Sequence, residues 1–245
     1  MNNERFAAVI LAAGSSSRFL RHCSTRTGGI KKEFQKLNDE GLTVLGSSVK
    51  TFAAVQSIKT IVIAVSINEE AAARDALPSD LSASCDLKIL FVNGGDTRRA
   101  SVINALSALV PFNPRYVLIH DGARPWVSLS LVENIIVNVK KHGAVIPLLP
   151  LTDTPKEISG NGEEGVFVKR HIKRAAVGIA QTPQAFEFPE ILHAHEKAAL
   201  VSDEEFTDDA EIWDRFCASD TACGKTACIP GERENRKITF IEDLI

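Results

Sequence analysis

No apolar run in these 245 residues approaches the roughly 20 positions that cross a bilayer, which excludes a spanning helix from the sequence reading. The stretch Ala7–Ala13 follows Arg5 but sits at the short limit of a leader's core, and Glu4 stands where a leader would be basic. A buried first strand is the better reading. Charge of one sign is also lacking: the net charge is −3, which argues against a general nucleic-acid binder and confines any polyanion site to a local patch. Cysteine is sparse and odd in number, at Cys23, Cys85, Cys217, Cys223 and Cys228. Such a set in a long chain reads as reduced thiols in a reducing, cytoplasmic setting and not as a disulfide framework. The three late cysteines have no CxxC pair and no nearby histidine, so their spacing is poor for zinc. A dinucleotide fingerprint is missing, because the first turn carries only Gly14 of the GxGxxG pattern. Gly224-Lys225-Thr226 resembles the end of a P-loop, yet the earlier glycine would fall at Ser219. No Ser-His-Asp or thiol constellation offers nucleophilic catalysis.

What is present is ordinary globular composition, 44% hydrophobic and 24% charged, in a length that fits a single domain spanning 1–245. Short apolar runs at Phe6–Ala13, Ile61–Ser66, Leu87–Val92, Tyr116–His120 and Ala144–Leu149 read as strands buried on both faces. Helical patterns at Ser47–Val55, Asn68–Ala76, Arg99–Leu109 and Leu129–Lys141 alternate with them, which predicts a doubly wound, mostly parallel α/β sheet. Leu151–Lys173 breaks the rhythm and reads as a projecting hairpin with its turn near Asn161–Gly162, the plain alternative being a surface loop. Helices near Pro189–Leu200 and Asp208–Phe216 follow, then short strands around Thr226–Pro230 and Lys237–Phe240.

A doubly wound sheet binds ligands beyond the carboxyl ends of its strands. After the first strand comes Ala12-Ala13-Gly14-Ser15-Ser16-Ser17-Arg18, small residues that let backbone amides approach an anion. From Ser15 to Lys36 the basic residues Arg18, Arg21, Arg26, Lys31, Lys32 and Lys36 face a single acid, Glu33. In a net-acidic chain that is a local phosphate site, against the plain reading of a solvated basic loop. Asn93–Ser101 opens a helix after the third strand. Asp96 and Ser101 there suit a base edge, although the segment is also a good helix cap. His120–Pro125 closes the fourth strand with Asp121, placed to hold a divalent ion or a hydroxyl, or else to pair with Arg124 and fix the turn. The acidic stretch Asp203–Asp214 reads as a solvated helix start.

The segments AAG-SSSR-F, GGD-x-R-x-x-S-V, HDGARP, DT-P-K, TPQ-x-F, TDDA and ENRKIT occur in that order across nearly the whole chain. Together they resemble the 2-C-methyl-D-erythritol 4-phosphate cytidylyltransferases of the non-mevalonate isoprenoid pathway. The resemblance implies a Rossmann-like nucleotidyltransferase, a cytoplasmic homodimer embracing through arms at about 151–175, using CTP, a polyol phosphate and magnesium. Neither nucleic acid nor membrane enters. By motif match it implies Arg18 and Lys32 at the transition state, and Arg174 and Lys237 on the substrate phosphate, Arg174 from across the dimer. It implies Ala12, Ala13, Gly14, Gly95, Asp96 and Ser101 on CTP. Asp121, Arg124, Thr154, Thr182 and Thr207 fall on the substrate side or assist the metal, with Asp121 the metal candidate. Ribitol-5-phosphate cytidylyltransferases share much of the pattern; HDGARP and ENRKIT favour the methylerythritol enzymes. This chain departs from the family at Lys31-Lys32-Glu33, where Pro-Lys-Gln is usual, so either Lys31 or Lys32 is the catalytic lysine. Its loop between Arg18 and Lys32 is about twice the usual length, which costs only about 0.6 kcal/mol. Gly122 replaces an alanine, and the chain stops soon after Leu244, where a last helix is expected.

Overall fold

A computed structural model of the chain describes residues 5–21, 29–38, 41–83, 86–160, 165–201, 206–217 and 224–244. The strands are β1 (Phe6–Ala12), β2 (Ile58–Val65), β3 (Lys88–Asn93), β4 (Tyr116–Asp121), β5 (Ala144–Pro150), β6 (Lys156–Ser159), β7 (Phe167–His171), β8 (Gly178–Ala180), β9 (Gln184–Glu187) and β10 (Ala227–Pro230). The helices are α1 (Ser17–Arg21), α2 (Val44–Ala53), α3 (Glu70–Asp75), α4 (Arg98–Leu109), α5 (Leu129–His142), α6 (Phe188–Leu200) and α7 (Asp209–Phe216).

The main sheet runs β10-β5-β9-β4-β1-β2-β3, with β8 added on β5. Neighbours β4, β1, β2 and β3 are parallel, as the continuous apolar runs predict. β1 shows why. Phe6, Ala8, Ile10 and Ala12 face the layer of α2 and α5, while Ala7 and Val9 face the layer of α4, α6 and α7. Both faces are dry, and each fully buried large aliphatic is worth roughly 1.5–3 kcal/mol. Hydroxyls and a carboxylate start the helices: Thr43, Thr97, Ser128 and Asp208 each accept a backbone N–H of the following turn. Gly143, at φ 76°, ends α5 behind Lys140, Lys141 and His142.

One strand was not foreseen, and one expectation needs correction. β9 lies antiparallel between β4 and β5, carrying the TPQ-x-F segment into the middle of the sheet. Lys237–Phe240 is not a strand; it is irregular chain from which Lys237 and Thr239 line the cleft edge. Ile238 donates its N–H to Ala123, and the Asp243 carboxylate takes the N–H groups of Thr239 and Phe240 in place of ladder partners. β6 and β7 pair only with each other, as the projecting hairpin anticipated, while its Asn161–Gly162 turn lies outside the described residues. So do Cys23, Cys85, Cys223, Arg26 and residues 203–205. No helix among the described residues is long and apolar enough to cross a membrane.

Candidate active site

The loops after β1, β2, β3 and β4 enclose a cleft of about 660 Å³ at the carboxyl end of the sheet. The sequence reading named three of these four walls. Ala13, Gly14 and Arg18 form the first, Gly95, Asp96 and Ser101 the second, and Asp121 the third, with Lys32 and Lys237 closing the rim. The first two walls touch: a Cβ on Gly94 would lie 2.3 Å from that of Ala13, so only glycine permits the approach. At Gly122 a Cβ would meet the Leu11 carbonyl oxygen at 2.9 Å, so the glycine in HDGARP lets the fourth strand's turn press against the first. Ser101 is buried and spends its hydroxyl inside its own loop, accepting from Gly95 N–H at 3.1 Å and donating to the Thr97 carbonyl at 3.0 Å.

Lys31 and Lys32 part company. Lys31 Nζ lies 2.7 Å from both Ser66 Oγ, at the cleft edge, and Glu69 Oε2, and Lys31 itself does not line the cleft. Lys32 Nζ lines the cleft, donating to the Ile238 carbonyl at 2.9 Å and standing 3.9 Å from Glu33 Oε1. Burial pushes the Lys32 ammonium below the ordinary lysine range. Glu33 is buried beneath the first loop, and burial raises its carboxyl. It accepts from the Ser16 hydroxyl at 2.9 Å, Ser16 being turned inward by a left-handed φ of 51°.

Asp121 is a hub of positive charge. Its carboxylate lies 2.8 Å from Lys237 Nζ, 3.5 Å from Arg124 Nε and 4.0 Å from Arg98 Nε. Burial alone would raise its pKa; Lys237, Arg98 and Arg124 outweigh burial and hold it below the carboxylate range. Its backbone N–H donates to Thr182 Oγ1 at 3.1 Å, and that hydroxyl meets His120 Nδ1 at 3.0 Å. Arg124 also donates to the Asn235 carbonyl at 2.7 Å, so its guanidinium braces the turn, as the plain reading of that Asp–Arg pair had it.

His120 supplies a pH signature. It is fully buried, and burial depresses its pKa from 6.5 to about 4. The unfolded chain therefore binds the extra proton between those two values. Stability carried by the neutral ring is complete above the unfolded pKa and is lost as pH falls through this window. One pKa unit is worth about 1.4 kcal/mol, so the loss is on the order of 3 kcal/mol. Denaturant titrations near neutrality and near pH 5 check this, the lower pH giving the lower midpoint; equal midpoints would contradict it.

Residues 6–245 match the sequence model of the 2-C-methyl-D-erythritol 4-phosphate cytidylyltransferase family. The chain belongs to that family. The bifunctional enzyme IspD/IspF of Brucella anthropi is 34% identical over 242 residues, 98% of this chain and 54% of that enzyme. Its namesake from Bartonella henselae is 36% identical over 241 residues, 97% of this chain and 54% of that enzyme. The chain thus spans about half the length of the curated relatives it matches. The solved 4-diphosphocytidyl-2C-methyl-D-erythritol synthase of Anaerococcus prevotii shares the fold at a TM-score of 0.77 and 29% identity, covering 99% of this chain and 94% of that one.

Set beside the family's motifs, the cleft gathers most but not all of the implied residues. Ala12 is fully buried inside β1 and reaches the cleft only through its neighbours. Thr182 lies beneath Asp121 and not on the cleft surface. Thr154 and Arg174 are exposed at the base of the hairpin, Arg174 donating to the Thr152 carbonyl. Thr207 is exposed as well, its N–H and hydroxyl both taken by Glu211 Oε2 at 2.8 and 2.9 Å. Residues to which the motif match assigned no role also matter. Arg98 lines the cleft beside Asp121, and Glu33 underlies Lys32. Glu33 carried a signal, as the one acid in a basic run. Arg98 carried one too, as the arginine of GGD-x-R-x-x-S-V, but its role stayed hidden because its partner Asp209, in TDDA, is 111 positions away in sequence.

Proposed function

We propose that the chain transfers CMP from CTP to 2-C-methyl-D-erythritol 4-phosphate, releasing pyrophosphate. One observation carries the reading beyond family membership. The cleft at the carboxyl ends of β1 to β4 is ringed by Arg18, Lys32, Arg98 and Lys237, in a chain whose net charge is −3. Attack of a phosphate on the α-phosphorus of a triphosphate brings anions together. The attacking phosphate is already ionised at neutral pH, so the reaction needs positioning and positive charge and no general base. Lys32 and Arg18 would meet the charge that grows on the triphosphate. Lys237 and the Asp121 hub would hold the second substrate. The small residues Ala13 and Gly14 leave room for backbone amides to approach the nucleotide.

The reading includes magnesium. Among the described residues no three His, Cys, Asp or Glu side chains gather as a metal cage. Asp121 already faces Lys237 at 2.8 Å, and Asp96 and the buried Glu33 are the other carboxylates among the described residues bordering the cleft. That donor set fits an ion that takes most of its ligands from phosphate and water, as magnesium does. When bound, such an ion neutralises phosphate charge; Asp121 and Asp96 are the residues at hand to steady it. A reaction drawing on CTP, in a chain whose Cys228 is a thiol outside any disulfide, suits the cytoplasm.

The reading also includes a homodimer formed through the arm. The hairpin and its base expose Ile158, Val166, Phe167, Val168 and Ile179, each at least half exposed, apolar surface that water alone would not favour. Arg174 stands at that base, apart from its own chain's cleft lining. Arg174→Ala is expected to raise KM for the polyol phosphate by about tenfold or more, the worth of a charge-assisted phosphate contact, with KM for CTP within about twofold. Steady-state kinetics varying each substrate decides it, and equal changes in both would refute the assignment.

A coupled pyrophosphate-release assay tests the function itself. Release with CTP and 2-C-methyl-D-erythritol 4-phosphate, and little with ribitol 5-phosphate, is expected. A preference for ribitol 5-phosphate would overturn the substrate assignment.

A further inference from the structure

The TDDA segment contributes more than a helix cap. Asp208 caps α7 and pairs with Gln184 of β9 at 2.8 Å. Asp209, the first residue of α7, is a carboxylate with no exposed surface. Its Oδ2 receives Arg98 Nη2 at 2.6 Å, and its Oδ1 lies 3.2 Å from Nε2 of His195, itself fully buried on α6. The histidine contact is close without hydrogen-bond alignment, which leaves Asp209 Oδ1 and both ring nitrogens of His195 without hydrogen-bond partners. Burial would raise the Asp209 carboxyl, and the Arg98 guanidinium overrides it, holding the pKa at about 2. A charge held this deep is poor at stabilising a fold, because desolvation consumes most of the attraction. Unsatisfied buried polar atoms call for a reason of their own.

That reason lies at the other end of Arg98. The guanidinium extends from Asp209 to the cleft wall, where Nε stands 4.0 Å from Asp121 Oδ1 and the side chain is 35% exposed. Asp121 in turn holds Lys237 at 2.8 Å on its other oxygen. A planar guanidinium fork presents its donors at fixed, separated positions, so it spans two carboxylates with a geometry that a compact ammonium does not reproduce. We infer that Asp209, seated beside His195, is a positioning residue that fixes Arg98 at the cleft wall, and that Arg98 thereby sets the Asp121–Lys237 pair for the second substrate. Neighbouring contacts keep the relay rigid. Arg99 Nη1 donates to the Ala198 carbonyl at 2.7 Å, tying α4 to α6, and Ala210 N–H donates to Gln184 Oε1 at 3.2 Å, tying α7 to β9.

The kinetic side of this inference rests on the cytidylyltransferase reading; its structural side does not. In the pyrophosphate-release assay, Asp209→Asn and Arg98→Lys are each expected to raise KM for the polyol phosphate about tenfold, with KM for CTP within about twofold. A merely structural role would lower the melting temperature and the active fraction without splitting the two KM values, and that result overturns the inference. A crystal structure of Asp209→Asn gives a readout independent of turnover. Arg98 drawn away from Asp121 supports the relay, and Arg98 still within the present 4.0 Å overturns it even if the parent shows no transferase activity. Should Asp209→Asn fail to fold, Arg98→Lys, which keeps a positive charge beside Asp209, carries the kinetic test, and its crystal structure reads the Asp121–Lys237 pair: displacement from the present 2.8 Å supports the relay, and an unchanged pair overturns it.

Discussion

Lys32→Ala is expected to cut turnover by more than a hundredfold while leaving CTP affinity within a few-fold of the parent. Lys32 is held in place before substrate arrives: Nζ is anchored on the Ile238 carbonyl at 2.9 Å, and its side chain is only 12% exposed. Removing a preorganised donor aimed at developing charge costs roughly 3 kcal/mol, and that loss falls on the transition state. Lys31 is the internal control. Its ammonium is committed to Ser66 and Glu69, so Lys31→Ala should change turnover by less than about threefold. Single-turnover kinetics on both variants separates the roles. Near-normal turnover in Lys32→Ala with a large loss in Lys31→Ala would reverse them. Burial lowers the Lys32 pKa, so the cation is lost as pH rises. The alkaline limb of the parent's rate profile should therefore fall below the ordinary lysine value of 10.5.

Asp121→Ala should be the other severe change, costing both stability and activity. The carboxylate balances Lys237, Arg124 and Arg98, and its removal leaves cations crowded over a buried floor. Breaking a buried pair on one side costs about 3–5 kcal/mol; Lys237 is 39% exposed and screened, which places the expectation near the lower figure. Activity should fall further than stability accounts for, because Lys237 loses its anchor at the cleft. Denaturation midpoints together with kcat/KM measured well below the melting temperature test this. A variant as stable as the parent, or one whose activity loss merely follows its folded fraction, would contradict the hub.

The parallel sheet was legible because its strands are continuous apolar runs, and burial on both faces leaves that mark at β1, β2 and β4. β9 was not legible. It is four residues long, and two buried polar side chains, Thr182 and Gln184, lie at or beside its start, so neither periodicity nor composition announces a central strand. Its place is set by pairing with β4 and β5, contacts far outside the reach of any local pattern. Lys237–Phe240 failed the other way. Alternating Lys237, Ile238, Thr239 and Phe240 looks like a strand, but Ile238 packs into a small separate cluster with Phe19 and Val44, and none of the described strands pairs with it.

The cleft walls were legible from the rule that ligands sit beyond strand ends, and the cation excess after β1 pointed to phosphate. The choice between Lys31 and Lys32 needed packing, since adjacent residues on a tight turn point in different directions and only Glu69 and Ile238 reveal which goes where. The support beneath Asp121 was out of reach for the same reason. His195 and Asp209 look like ordinary members of helices until α6 and α7 are folded against α4.

The central claim is that the cations gathered around this cleft exist to neutralise a nucleoside triphosphate. Calorimetric titration of the chain with Mg–CTP measures it without assuming any second substrate. Saturable binding is expected, weakening as salt is raised and reduced when Arg18 is replaced by alanine. A flat titration with no saturation at millimolar nucleotide would contradict the account at its base.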